Sequence, residues 1–545
     1  MRTFNKQTSI TKRQAVTVGD LLRVIAEDES YNQKIALVQG KRRLTWSELN
    51  SEANSIANSL LEMGFRKNQI IGIYSENSPE YVAALFGMQK VGLVPMPLNI
   101  RLRLPEVSSL LERSKAVGIL ASSRYMPYAE KLAESGKTLK RPILLDVGTK
   151  PEDEYQARIS YIPDSPEPSA DVDDGDPAIV IFTGGTTGQP KGVVLTHHSI
   201  LKWCEMLASH TLQLISEGKV AESALIPPEG RELKYLIPTP FYHVSGYTTL
   251  VNMVFSRGTV VLTSSPSFSP EEVCELIHKE SVTGLFMVPT MYKMLLEYER
   301  LSDYSFSSLL VMASGGAKMS ASLKRELLKK FPHITLIDGF GQTETFASTI
   351  ISFLTSKDSE GIADGLVGRP VSGVVVKIVN ESGEEVKPGE VGEVIYRSDA
   401  LMKEYLNDPE STRSAFRDGW FRSGDLCKMD ESGNIYYVGR KGEVIVTGAE
   451  KVNPEEVEEV LLMHPDVEQA VVIGVPDERL GEAVRAVVKL RSGSNTTAQQ
   501  LIAHCKEHLA GYKCPKTVVI APYLPLTTDG KVLRATVKAI YGKDL

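Results

Sequence analysis

Two adjacent glycines, three threonines and a Pro-Lys-Gly follow a β-branched apolar run in IVIFTGGTTGQPKGVVLTH, residues 179–197. Backbone N–H groups left open by Gly184, Gly185 and Gly188, with the hydroxyls of Thr183, Thr186 and Thr187, form a donor set able to wrap a polyphosphate. Lys191 either fixes the loop or adds charge. A Walker loop needs its lysine directly after a glycine and a hydroxyl directly after the lysine. Lys191 instead follows Pro190 and precedes Gly192, so that reading fails. A dinucleotide-binding turn needs GxGxxG opening a helix. The glycines here lack that spacing, and Pro190 would interrupt the first turn. What stays open is a mobile phosphate loop of another kind or a Gly/Thr surface loop.

The elements expected to position this loop are those of an α/β protein. QIIGIYSEN (69–77) reads as a strand and SPEYVAALFGMQKVG (78–92) as the helix after it, an alternation that recurs along the chain. The Pro- and Asp-rich stretch 162–177 reads as a loop delivering the chain into the strand before the glycines. From about Gly361 the texture changes, and VVVKIVNESGEEVKPGEVGEVIYR (374–397) predicts antiparallel strands of a small β subdomain. Near residue 453 the pattern predicts a helix with Asn453 as N-cap, Pro454 at its first position, Glu456 closing a capping box, and Val457, Val460 and Leu461 on its apolar face.

The chain has 545 residues, 42% apolar and 24% charged, which predicts a folded protein of several units. A net charge of −7 without a long basic run argues against nucleic acid as a partner. Five scattered cysteines without CxxC spacing argue against zinc and disulfides, and fit a reducing, cytoplasmic compartment. No apolar run is long enough for a transmembrane segment. The basic, acid-free stretch before Asp20 reads as a disordered terminus, with a faint likeness to a transit peptide.

Four more stretches follow the glycine loop in order: DGFGQTET (338–345), WFRSGDL (420–426), GRKGEVIVTGAEKVNPEEVE (439–458) and LPLTTDGKVLR (524–534). With LTWSELNSEANSIANSLLEMG (44–64), they make the chain resemble the adenylate-forming superfamily over almost its whole length. The resemblance implies an α/β fold with a large N-terminal domain of α/β sheets (1–438) and a small β subdomain. A hinge (439–442) and a small mobile α+β C-terminal lid (443–545) would complete it. It also implies ATP, Mg²⁺ and CoA, with activation of a carboxylic acid to acyl-AMP and transfer to a thiol.

Residue by residue, the resemblance implies that Lys531 bridges carboxylate and α-phosphate, Thr343 donates to the α-phosphate and Glu344 holds Mg²⁺. Phe340 would stack on adenine within the Asp338, Gly339, Gly341 and Gln342 segment, with Asp338 at the base's amino edge and Ala317 nearby. Asp425 and Arg440 would serve the ribose. His243, Tyr247, Gly315 and Gly316 would line the acyl pocket, and Gly448 and Ala449 the CoA channel. Three residues depart from the common pattern: Gly442 at the hinge, Ala449 where most relatives carry glycine, and Gly184 where many carry serine.

The pocket sequence offers no charged specificity group, so an apolar acid, fatty or arylalkyl, is expected. The chain ends soon after Lys531, leaving no room for a carrier domain, so the acceptor is expected to be CoA or a separate acyl carrier protein. An acyl-AMP ligase serving such a carrier and a non-catalytic nucleotide-binding relative stay open. So does a homodimer.

Overall fold

The computed structural model describes residues 16–135, 142–146, 159–183, 190–228, 230–265, 267–447, 450–477, 479–526 and 532–543. The fold is mixed α/β. The segment expected to be a strand is one at Ile70–Tyr74, and it leads a parallel sheet with Val94–Pro97, Gly118–Ala121 and Ile143–Leu144. The helix after it runs Pro79–Lys90, started by Ser78, whose hydroxyl accepts from the Tyr81 N–H, and by a proline at the first position. Almost all its residues are buried, as expected of a helix apolar on every side that lies between layers.

The largest sheet carries the site. Val311–Ser314 and Thr335–Gly341 are parallel neighbours, and Ser348–Leu354 then turns the sheet antiparallel. Pairing continues through Leu366–Pro370, Ile435–Arg440, Trp420–Met429, Gly392–Arg397 and Val375–Val379. The two β-rich runs read from 374–397 are therefore antiparallel partners, and their strands hydrogen-bond onward into the main sheet. A third sheet is the antiparallel pair Pro177–Thr183 and Lys191–Thr196 with the short strand Glu404–Tyr405 on its edge.

Residues from Ile445 onward build their own five-stranded sheet, in which Gly481–Leu490 is central and pairs along its length with the edge strand Val467–Asp477. Their apolar side chains form two clusters of their own, around Val472 and around Val471. The helix expected near residue 453 spans Pro454–Met463, with Val457, Val460 and Leu461 buried. Asn453 caps it by accepting from the Glu455 N–H at 3.3 Å. Glu456 does not close a capping box; its carboxylate pairs with Lys513 at 2.6 Å, a full charge outcompeting a neutral N–H. All five cysteines are buried and free. Among the described residues no helix is long and apolar enough to cross a membrane.

The first turn of that helix meets the large sheet. Asn453 Nδ2 donates to Val438 O, Tyr437 OH donates to Glu455 Oε1 at 3.1 Å, and Lys318 pairs with Glu459 at 2.9 Å. Arg534 pairs with Glu443 at 3.1 Å and with Glu458, tying the far end of the unit to the same place. Burial pushes the Glu455 carboxyl up to about 7; Glu458 adds to the rise, while Lys318, Arg534 and the Tyr437 hydroxyl oppose it. A carboxyl raised in the fold stabilises it fully below the usual carboxylate range, and that stabilisation is lost as pH rises through about 7. Thermal melts from pH 5 to pH 8 should therefore show the wild type losing stability against Glu455→Gln, by up to about 3 kcal/mol. Parallel pH profiles for the two proteins would overturn this account.

Candidate active site

The glycine loop joins two antiparallel strands, and Thr183 and Lys191 are register partners at its base. Thr183 Oγ1 lies 3.5 Å from Lys191 O. Both Walker and dinucleotide loops run from a strand into a helix, so the hairpin excludes them on architecture as well as spacing. Gly184, Gly185, Thr186, Thr187 and Gly188 lie outside the described residues. The ammonium of Lys191 sits 4.9 Å over the ring of Tyr405, which pairs in register with Val193 from the edge strand.

Tyr405 also holds Glu344. Its hydroxyl donates to Glu344 Oε1 at 2.7 Å, and the Met402 N–H donates to Glu344 O at 2.7 Å. Burial, and then the charge of Glu344, push the Tyr405 phenol far up, so it stays a proton donor. Glu344 is placed by a tight turn: Thr343–Thr345 is a single 3₁₀ turn, and Phe346 after it is buried at φ +59°. Gly341 is needed just before this turn, because a Cβ there would lie 1.9 Å from Ala347 O.

Close to this group, Asp425 and Arg440 are register partners on adjacent strands, with Arg440 Nε 3.3 Å from Asp425 Oδ1. Gln342 Nε2 donates to the other oxygen of Asp425 and, at 2.9 Å, to Ser423 O. Burial alone would lower the Arg440 guanidinium, but the charges of Asp425, Tyr437, Glu344 and Glu443 outweigh it, and the group is raised. Glu393 braces the turn beneath: it accepts from the Gly424 N–H at 3.2 Å and pairs with Arg422 and Lys441. Burial opposes its charge, yet these partners hold it below the usual carboxylate range.

Phe340 is half-buried, its ring 5.3 Å from that of Tyr437. Asp338, expected near the base's amino edge, lies two residues before Phe340 on the same strand. Its carboxylate is buried in an ion pair with Lys324 at 2.6 Å, against the Ala321–Lys330 helix, because a charge buried this deeply needs its counter-ion. Lys324 also donates to Leu366 O at 2.6 Å, tying in the next strand but one.

Gly315 follows the Val311–Ser314 strand, and a Cβ on it would come within 3.0 Å of Gly339 O. Gly316 has φ +80°, and Ala317 beside it is half-buried. His243 stands at the N-cap position of the Val244–Phe255 helix without a side-chain capping bond, half-buried, with its ring 4.8 Å from that of Tyr242. Tyr247 is corrected: it has no exposed surface, its hydroxyl bonds Gln89 Nε2 at 2.6 Å, and its ring packs against Phe346. A phenol satisfied inside the core makes a packing residue rather than a pocket wall. Gly448, Ala449 and Lys531 lie outside the described residues.

Sequence reasoning missed Tyr405 and Glu393. Each acts through a partner distant in the chain, Glu344 and Gly424 respectively. The only local signal near Tyr405 is the Asp408-Pro409 helix start, where Asp408 accepts from the Ser411 N–H.

Comparison with known proteins agrees with this geometry. The family described as AMP-binding enzyme matches residues 26–406, and its C-terminal domain matches residues 456–531. A feruloyl-CoA synthase of Amycolatopsis sp is 32% identical over 93% of this chain and 96% of its own length. A mitochondrial medium-chain acyl-CoA ligase of Mus musculus is 30% identical over 95% of this chain and 86% of its own. Among solved structures, the o-succinylbenzoate CoA synthetase of Bacillus subtilis, in complex with its acyl-adenylate intermediate, superposes with a TM-score of 0.80 at 28% identity. That match covers 96% of this chain and 99% of the other. With a match across most of its length, the chain belongs to the AMP-binding enzyme family.

Proposed function

We propose that the chain activates an apolar carboxylic acid, fatty or arylalkyl, to an acyl-AMP and passes the acyl group to CoA. The observation that carries this reading is a pair of bonded side-chain groups. Gln342, Asp425 and Arg440 form one bonded group, while Lys191, Tyr405 and Glu344 form another, from segments far apart in sequence. Relatives named for feruloyl-CoA, medium-chain and long-chain acyl-CoA formation support the apolar class.

In this reading the acid's carboxylate oxygen attacks the α-phosphorus of ATP and pyrophosphate leaves; a thiol then attacks the acyl carbon and AMP leaves. Asp425 accepts from the ribose hydroxyls, and Arg440 offsets its charge. Phe340 stacks on the base, with Ala317 and the backbone of Gly339 beside it. Thr183, Lys191 and residues 184–188 grip the departing phosphates, Thr343 donates to the α-phosphate, and Lys531 brings a point charge to the bond being made. His243, Gly315 and Gly316 border the acid. Glu344 suits Mg²⁺: one of its hard oxygens accepts from Tyr405, and a carboxylate retains further acceptor capacity for a cation that prefers oxygen. When bound, the ion offsets charge on the phosphates.

We further propose that residues 1–438 and 443–545 are two bodies hinged at 439–442. The second would turn after adenylation, so that Gly448 and Ala449 border the thiol. Buried, free cysteines support a reducing, cytoplasmic setting. The methyl of Ala449 favours a second reading, in which a carrier protein replaces CoA as acceptor.

Three measurements test this. A panel of carboxylic acids should release pyrophosphate from ATP best with apolar chains or aryl groups, and give thioesters when CoA is added; pyrophosphate release without thioester would favour the carrier reading. Lys531→Ala should lower acid-dependent pyrophosphate exchange by at least about a hundredfold while ATP still binds, and an unchanged exchange rate would sink the mechanism. Tyr405→Phe, which removes a donor to a charged group, should lower exchange about 10- to 100-fold and raise the Mg²⁺ concentration needed for half-maximal rate. An unaltered Mg²⁺ dependence would separate Tyr405 from Glu344.

A further inference from the structure

The C-terminal unit carries a cluster that the candidate site does not use. On the Ala498–His508 helix, His504, Glu507 and His508 stand at positions i, i+3 and i+4, which share one face. One ligand atom from each lies within 4.8 Å of the others. His504 and His508 have ring centroids 4.8 Å apart.

Hydrogen bonding fixes which nitrogen of His504 is available. Its Nε2 is 2.9 Å from Val460 O, and a carbonyl can only accept, so Nε2 carries the proton. Nδ1 therefore keeps its lone pair. A metal-ligating imidazole whose second nitrogen donates to a backbone carbonyl is held in just this way. His504 is half-buried and so held in place, while Glu507 and His508 are exposed and have room to adjust their rotamers. His464, with its ring 5.2 Å from that of His504, is differently employed: its Nδ1 accepts from the Asp466 N–H at 3.3 Å.

We propose that His504 Nδ1, His508 and Glu507 form a tripod for one divalent transition-metal ion of the zinc or nickel type. Two neutral imidazoles and a carboxylate are the ligands such ions favour, and Mg²⁺, which prefers all-oxygen surroundings, is not expected here. Tetrahedral coordination at about 2.0–2.1 Å sets ligand atoms about 3.3 Å apart, and rotamer changes of the two exposed side chains close the difference. The ion would clamp the last turn of this helix. Through the His504 bond to Val460, it would also brace the Pro454–Met463 helix that meets the large sheet.

The test uses the full, untagged chain, stripped of metal and held in excess Mg²⁺. Zn²⁺ and Ni²⁺ are each titrated calorimetrically, and Co²⁺ is followed by its visible absorption. The expected result is one ion per chain, a Co²⁺ spectrum of four- or five-coordinate intensity, and a thermal transition that rises with Zn²⁺. His508→Ala alters an exposed side chain, so folding should be preserved, and it should weaken binding at least about tenfold. Glu507→Gln should weaken it less. Equal affinity in wild type and His508→Ala, or no binding tighter than millimolar, would overturn the proposal.

Discussion

The need of each acid around the site for its own donor is the constraint on which the rest of this structure depends. Asp338, Glu344, Glu393, Asp425 and Glu455 stand on or beside the segments that carry the candidate site. A charge taken out of water without a partner is costly. Each acid is met by its own donor: Lys324, Tyr405, Arg422 with Lys441, Gln342 with Arg440, and Tyr437. Many of these donors come from strands that are neighbours in the large sheet. The antiparallel half of that sheet thus does electrostatic work as well as packing.

The same logic explains the choice of neutral donors at several positions. A tyrosine beside a carboxylate fixes its direction without cancelling its charge, as at Glu344, whereas Asp425 takes neutral Gln342 on one oxygen and the Arg440 cation on the other. Asp338 and Glu393 are met by full cations. Their charge is consumed locally, and their contribution is to hold strands and turns in place.

Much of this was legible in the sequence. Strand and helix around residues 70–90, the antiparallel pair of 375–397 and the helix after Asn453 follow from local patterns that the backbone obeys. The pairing of Asp425 with Arg440 was legible only through resemblance. Partners chosen across long separations left no periodic trace: Tyr405 for Glu344, Lys324 for Asp338, Lys513 for Glu456 and Gln89 for Tyr247. In each corrected case a side chain expected to face a ligand, or its own backbone, found a stronger partner from another element.

The contacts at the start of the Pro454–Met463 helix have a kinetic meaning. Asn453 with Val438, Tyr437 with Glu455 and Lys318 with Glu459 all cross between the large sheet and the C-terminal unit within a few residues of one another. A turn about residues 439–442 would break them together rather than one by one. If the unit turns as proposed, such a set would act as a detent, holding it in a discrete seat until the contacts release together. Motion between seats would then be stepwise, its rate set by leaving a seat and not by the softness of the intervening chain.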